Sequence, residues 1–379
     1  MAEGTYNPPG SNDNFNRSFI LKNGIKIYGG FKGVESELGQ RVYEDSGKTR
    51  ARYKTILSGN YPNGDKIYHT VIASGISTAY LDGLEIEGSR NGYWSSGTFS
   101  VNLNSINANY GGAFYVVNSS PILKNVTIRN GLAQYAAGMY VTTTGSNTSL
   151  PILLHCRITN NQSSNTGSSL SITGASADKA HVLMIGGTMD LNLDAMGVLN
   201  IGNNQKATLV NVSIVNNKEA AVHSGPTGTG NTTTPGSGTG NFINCTITGN
   251  RGKGGTDTSV SLPNVVSIGE YYNSIIRNND PQVMPALPMY NTDAPFYPGT
   301  ISSSSPDIDH YPITSGGAWN STSTIYNIFS GAGTPLFGPS HPCETILDLG
   351  NIIVDALKLD GNGNSRFNGS GDIKLGAIQ

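Results

Sequence analysis

Carboxylates gathered near a cation are the first place to look for chemistry, and the chain has one such group: Asp82, Glu85 and Glu87, followed by Arg90. A polysaccharide lyase brings several carboxylates onto calcium beside an Arg or Lys base, and a glycoside hydrolase sets two across the sugar bond. Glu85 and Glu87 alternate with Leu84 and Ile86, so they share one face of a strand, the solvent-facing one. Two glutamates on such a face ordinarily serve solvation. The matching stretches nearby supply Lys124, Arg129 and Arg157 instead of further acids, so these residues are catalytic candidates without the surroundings a catalytic site needs.

Other groups offer less. Asp190 and Asp194 end a repeat copy and read as corner carboxylates that bond nearby backbone. Asp360-Gly361-Asn362-Gly363-Asn364 begins like a calcium loop, but Ser365 stands where the turn glycine belongs and Gly371 where the bidentate acid belongs. His69, His155, His181, His223, His310 and His341 contain no pair at metal-binding spacing. Nucleophile elbows, phosphate loops and dinucleotide fingerprints are missing from the sequence. The reading at this level is no catalytic residue, no cofactor and no metal. Tyr93 and Trp94 in a glycine-flanked loop, with Trp319 further on, remain as aromatics that could stack on a glycan.

The elements that would position these residues come from a repeat. Ile243-Asn244-Cys245-Thr246-Ile247-Thr248-Gly249-Asn250 returns as 123–130, 154–160, 210–216 and 272–278, and in degraded form as 184–192. Apolar residues fall at every second position, as in a strand with one buried face. A period of roughly 25 to 33 residues means a solenoid. Strands this short bury their apolar face only by stacking coil on coil. The expected fold is all-β, a single right-handed parallel β-helix, with coils over residues 1–280 and proline-rich loops and terminal coils over 281–379 capping the same solenoid.

Asn recurs at the first place of the copies (Asn125, Asn211, Asn244, Asn273) and at the last (Asn130, Asn160, Asn216, Asn250, Asn278). These amides are expected to stack and bond along the ladder at the corners. Thr127, Arg157, Ser213 and Thr246 fill one outward place, too mixed for an ice-binding threonine array. Cys156 and Cys245 should point inward as small core residues. With a whole coil expected between them they are out of disulfide reach.

Composition agrees with many corners and few helices: 49 glycines and 13% charged residues. A net charge of −2 provides no basic stripe for nucleic acid, and no apolar run is long enough to span a membrane. Gly4-Thr5-Tyr6 reads as a strand already under way with no charged, apolar leader before it, as if the chain starts inside the repeats of a longer exported protein. Asn23-Gly24 calls for a tight turn between two strands. The polar run 34–52 and the Gly/Ser/Thr stretch 224–240 lack a strand period and are expected to leave the coils. The segment 281–342 holds ten of the 18 prolines, which interrupts regular ladders.

Taken with Gly4-Thr5-Tyr6, several motifs carry a resemblance: Ile27-Tyr28-Gly29-Gly30-Phe31-Lys32-Gly33-Val34-Glu35 with Gln40-Arg41, Thr55-Ile56-Leu57-Ser58-Gly59, Gly111-Gly112-Ala113-Phe114-Tyr115, Ala137-Gly138-Met139-Tyr140 and 273–279. So do Pro306-Asp307-Ile308, Pro335-Leu336-Phe337, Leu347-Asp348-Leu349-Gly350-Asn351, Leu359-Asp360-Gly361-Asn362, Arg366 and 372–378 at the end. Over nearly its whole length the chain resembles the right-handed β-helix surface proteins of Bacteroidota, whose coils are similar to chlamydial polymorphic outer-membrane protein repeats. The resemblance implies the fold and an exported, cell-surface setting, and carries no catalytic residues. The expected function is a noncatalytic surface or secreted scaffold, adhesin-like or glycan-binding. The alternative is a carbohydrate-active lyase or hydrolase whose acids converge only in three dimensions.

Overall fold

A computed structural model of the chain describes residues 1–10, 15–64, 66–88, 97–163, 167–193, 197–218, 220–224, 237–251, 268–272, 274–277, 279, 289–290, 352 and 356. Among them the chain is all-β and solenoid-like. It runs back and forth between a 16-stranded and a 7-stranded sheet, and every pairing within the two sheets is parallel. Parallel neighbours need a crossover. Here the crossover is the passage through the other sheet.

The register shows why the repeat needs its apolar residues where it has them. One column of the long sheet runs Leu81, Leu123, Leu153, Met184, Leu209, Phe242, Tyr271. A second runs Ile86, Ile128, Ile158, Met189, Ile214, Ile247, Ile276. Facing them, the second sheet stacks Val71, Phe114, Met139, Leu170, Leu199 and Val222. All these side chains are buried in one core cluster. The degraded copy 184–192 is in register with its neighbours, so its glycines interrupt the sequence pattern and leave the ladder intact.

Between the two columns the strand bends at one residue per coil. Gly83, Asn125, His155, Gly186, Asn211 and Asn244 hold this place, all at φ between 51° and 71°. Asn and Gly adopt that left-handed backbone most readily. The next residue points back inside, giving a column Leu84, Val126, Cys156, Gly187, Val212, Cys245, Ser274. Both cysteines are buried, as their position required, with two coils between them where one was expected.

The amide expectation needs correcting in register. The residues grouped at the last place belong to two columns. Asn130, Asn160, Leu191, Asn216 and Gly249 form a second left-handed corner, with φ between 51° and 68°. The buried ladder is one residue later: Asn161, Asn192, Asn217, Asn250 and Asn279. From Asn192 on, each Oδ1 accepts the main-chain N–H and the side-chain Nδ2 of the Asn one coil before, while Asn161 Oδ1 accepts the Gly131 N–H; each Nδ2 also donates to a carbonyl of the preceding coil. Along it the coil spacing runs from 25 to 33 residues. In the sequence Asn250 falls with the last-place amides because copies differ by one residue at this corner, where Gly249 takes the Asn position.

Two excursions decorate the early coils. The run 34–52 leaves the ladder as expected, makes one 3-10 turn at Leu38–Gln40 and returns through a Tyr43/Ala51 bridge. The antiparallel hairpin Thr98–Val101 with Asn104–Asn107 lies over the second sheet and builds a smaller cluster with Ile72, Tyr115, Val117 and Tyr140. Asn23-Gly24 does turn, but its flanking strands do not pair with each other: Phe19–Ile20 joins the second sheet and Lys26–Tyr28 the long one. The turn is a coil corner. The stretch expected to be a loop at 224–240 ends sooner, because Thr239–Ile243 is a strand of the long sheet. Of the capping segment 281–379, with Cys343, Trp319 and the Asp360 loop, all but Met289–Tyr290, 352 and 356 lies outside the described residues.

Candidate functional site: the outer groove of the long sheet

The acids singled out in the sequence sit on the outer side of the long sheet. Their neighbours on the next coils are cations, because outward places align through the ladder. Glu85 is in register with Thr127, and Glu87 with Arg129. Arg129 donates from Nε to Glu85 Oε2 at 2.8 Å and from Nη1 to Glu87 Oε1 at 3.0 Å. Lys54 Nζ lies 3.4 Å from Glu85 Oε1. Ser58 and Asn130 donate to Glu87 as well, each at 3.0 Å. Glu85 and Glu87 do share one face, but they are half-buried and cross-linked by cations. The reading of them as mere solvation is corrected.

Asp82 belongs elsewhere. The bend at Gly83 separates its strand, Tyr80–Asp82, from Glu85–Glu87. Its carboxylate is buried and takes two bonds from Arg41, at 3.0 and 2.7 Å, plus one from Asn125 Nδ2 at 3.1 Å. Burial works against the Arg41 charge; the bonds to Asp82 outweigh it, and the guanidinium pKa is raised. Asp190 likewise accepts from Arg157 one coil before, with Nε to Oδ1 at 2.9 Å, where backbone bonding had been expected. That bond raises the Arg157 pKa despite partial burial. Arg90, Tyr93 and Trp94 lie outside the described residues, as does Asp194.

The ion pairs floor a groove of about 620 Å³ that crosses six coils, from Lys54 and Glu85 through Thr127, Arg157 and Thr188 to Ser213. The excursion 34–52 supplies one wall through Glu44, Thr49 and Arg50. Asp45 holds that wall by accepting the Thr49 and Arg50 N–H groups and the Thr49 hydroxyl. Burial works against its charge, yet these bonds keep the Asp45 carboxyl below the usual range.

His155 also lines the groove, without a second histidine at metal-binding spacing in the sequence. It occupies the left-handed bend where other coils place Asn, and a Cβ on Gly186 would come within 2.6 Å of its Nδ1. The missing side chain at Gly186 is what makes room for the ring. His155 keeps part of its surface in water, while the crowded groove wall and then the Lys124 ammonium lower its pKa. Its signal in the sequence was an Asn-to-His change at a corner followed one coil later by Gly-Gly.

Among the described residues no group of three or more His, Cys, Asp or Glu is placed to hold a metal ion, and no helix is long and apolar enough to cross a membrane. The groove therefore offers paired charges, hydroxyls, amides and one imidazole across a flat stack of strands. No protein-family model, no curated protein and no solved structure matches the chain.

Proposed function

We propose that the chain is a single right-handed parallel β-helix of the cell surface or secreted space, noncatalytic, serving as an adhesin-like scaffold that holds glycans. The resemblance to Bacteroidota surface proteins suggested the setting and handedness. The observation that carries the noncatalytic reading is the pairing of Glu85, Glu87, Asp82 and Asp190 with guanidinium groups of neighbouring strands and loops. A general acid or nucleophile needs a carboxyl presented to substrate and tuned by its surroundings. These are committed to holding coils together.

A carbohydrate-active enzyme is the second reading, and His155 favours it: an imidazole with a lowered pKa, beside Arg157, on an open groove. One experiment separates the two. The purified chain is offered pectins, alginates and glycosaminoglycans, with and without calcium, while a glycan array is probed in parallel. Array binding without depolymerisation is the expected result. Turnover abolished by His155→Ala would end the noncatalytic reading. Protease shaving of intact cells should release the chain; protection would place it inside.

A further inference from the structure

A second, smaller pocket lies round the corner from the groove, where the left-handed column Asn130, Asn160, Leu191, Asn216 meets the short strands beyond it. Its volume is about 310 Å³, at the lower end of the roughly 300–1,000 Å³ typical of small-molecule sites. Three leucines face it. Leu132 and Leu193 flank Gln162 in register on three successive coils, and Leu191 stands beside them at the corner.

Leu191 breaks the rule of its column. Its φ is 54°, a conformation its neighbours meet with Asn or Gly, and leucine has no side-chain hydrogen bond to offset the strain. Burial does not explain it either: Leu191 is 55% exposed and Leu193 38%. A strained, exposed leucine at a place that the stacked coils otherwise fill with Asn or Gly points to a functional constraint; Leu103, also left-handed and exposed, sits in a hairpin turn outside the columns. The polar rim is held in place. Asn160 donates to Asn130 at 2.6 Å, Asn130 donates to Glu87 at 3.0 Å, and the buried ladder residue Asn161 lines the pocket behind them. A rim fixed before the ligand arrives costs less to order on binding.

The chemistry of the lining selects the ligand. Carboxamides donate and accept, as sugar hydroxyls do, and leucine surface suits the C–H face of a pyranose ring. Among the described residues of the lining Lys218 is the one that is charged, too little for a phosphate or a polyanion, which call for several cations. We propose that this corner pocket binds a neutral pyranose unit of a glycan, with Leu191 and Leu193 beneath the ring and the Asn130, Asn160 and Asn216 amides around it. The proposal rests on the glycan-binding reading and gives that reading a place.

The test uses the full chain on an array of neutral and acidic oligosaccharides, then calorimetric titration of the best neutral binder against Leu191→Asn, Leu193→Asn and, as a remote exposed control, Leu103→Asn. Leu191→Asn installs the corner residue of the adjacent coils, so it should raise the melting temperature by a few degrees while weakening binding tenfold or more. Leu193→Asn should weaken binding similarly, and Leu103→Asn should leave it unchanged. Unaltered affinity in both pocket variants would overturn the site and leave the glycan reading standing, as would binding confined to acidic glycans. Loss of affinity together with a lower melting temperature in Leu191→Asn would make it a packing residue and also overturn the site. Failure to bind any glycan would remove the functional reading itself.

Discussion

Asp82 and Arg41 are the pair whose loss the molecule should feel most. Both side chains are nearly dry, 7% and 5% exposed, and they tie the excursion 34–52 to the coil. Gly83 and Gly30 are part of the arrangement: a Cβ on Gly83 would run into the Arg41 guanidinium, and one on Gly30 into Ala51 with Arg41 pressed close behind. Removing one member of a buried pair strands the other charge, typically at about 3–5 kcal/mol, whereas replacing both with apolar groups is often neutral. Asp82→Asn is therefore expected to lower the unfolding free energy by about 3 kcal/mol, and Arg41→Met with Asp82→Leu to recover most of that, read by urea titration. Equal losses in single and double variants would refute this account. Asp82 was legible in the sequence as a polar residue of interest, but its partner was not. Arg41 lies in a run without periodicity, and only the fold-back of that run brings the two together. The same limit hid the Arg129 bridges: Glu85, Glu87 and Arg129 were each noticed, yet whether the cation opposes or neutralises the acids depends on the ladder register.

At the scale of the strand and its corner, two adjacent asparagines do different work. Asn160 projects outward at a left-handed bend; Asn161 is buried and bonded to the coils on either side. Truncating Asn161 removes its bonds to the Gly131 N–H and the Ile128 carbonyl and one of the two bonds to Asn192 Oδ1. At about 1–3 kcal/mol for each buried group left unsatisfied, Asn161→Ala should cost at least about 3 kcal/mol. Asn160→Ala loses left-handed preference, about 1–2 kcal/mol, and one exposed amide bond to Asn130. Denaturant melts of the two variants check the order; a reversed order would mean that the outward column carries the corner. Period-2 apolar spacing announced the strands well, since every copy falls in one register. The corners were read less well because Asn serves there both as a left-handed residue and as a ladder amide, two roles with one composition. A one-residue slip, such as Gly249-Asn250 against Asn160-Asn161, then moves an amide from one column to the other.

Across the whole molecule, stacking gives every coil only nearest neighbours, so damage at an end can propagate. The second sheet holds a buried imidazole toward each end. His69 precedes the strand Val71–Ser74, and His223 ends the last strand, Val222–His223. His69 donates from Nδ1 to the Gly111 carbonyl at 2.9 Å and packs edge-on against Tyr115. Burial pushes both pKa values down to about 4, from an ordinary 6.5. Between these limits the unfolded chain binds more protons than the folded one. Stability contributed by the neutral rings is therefore complete above about pH 6.5 and lost as pH falls toward 4. Each shift corresponds to about 3 kcal/mol at the acid end. The denaturation midpoint should be flat from pH 7 to 8 and fall steeply below 6, with a slope approaching two protons. His69→Phe and His223→Phe should each remove about one proton from that slope, whatever they do to stability at pH 7. A chain built this way would keep its coils at neutral pH and open the second sheet from both ends in acid. If both variants kept the full two-proton slope, the acid sensitivity would have to come from the long sheet, where burial also lowers the His155 pKa, and opening would start on the opposite face of the stack.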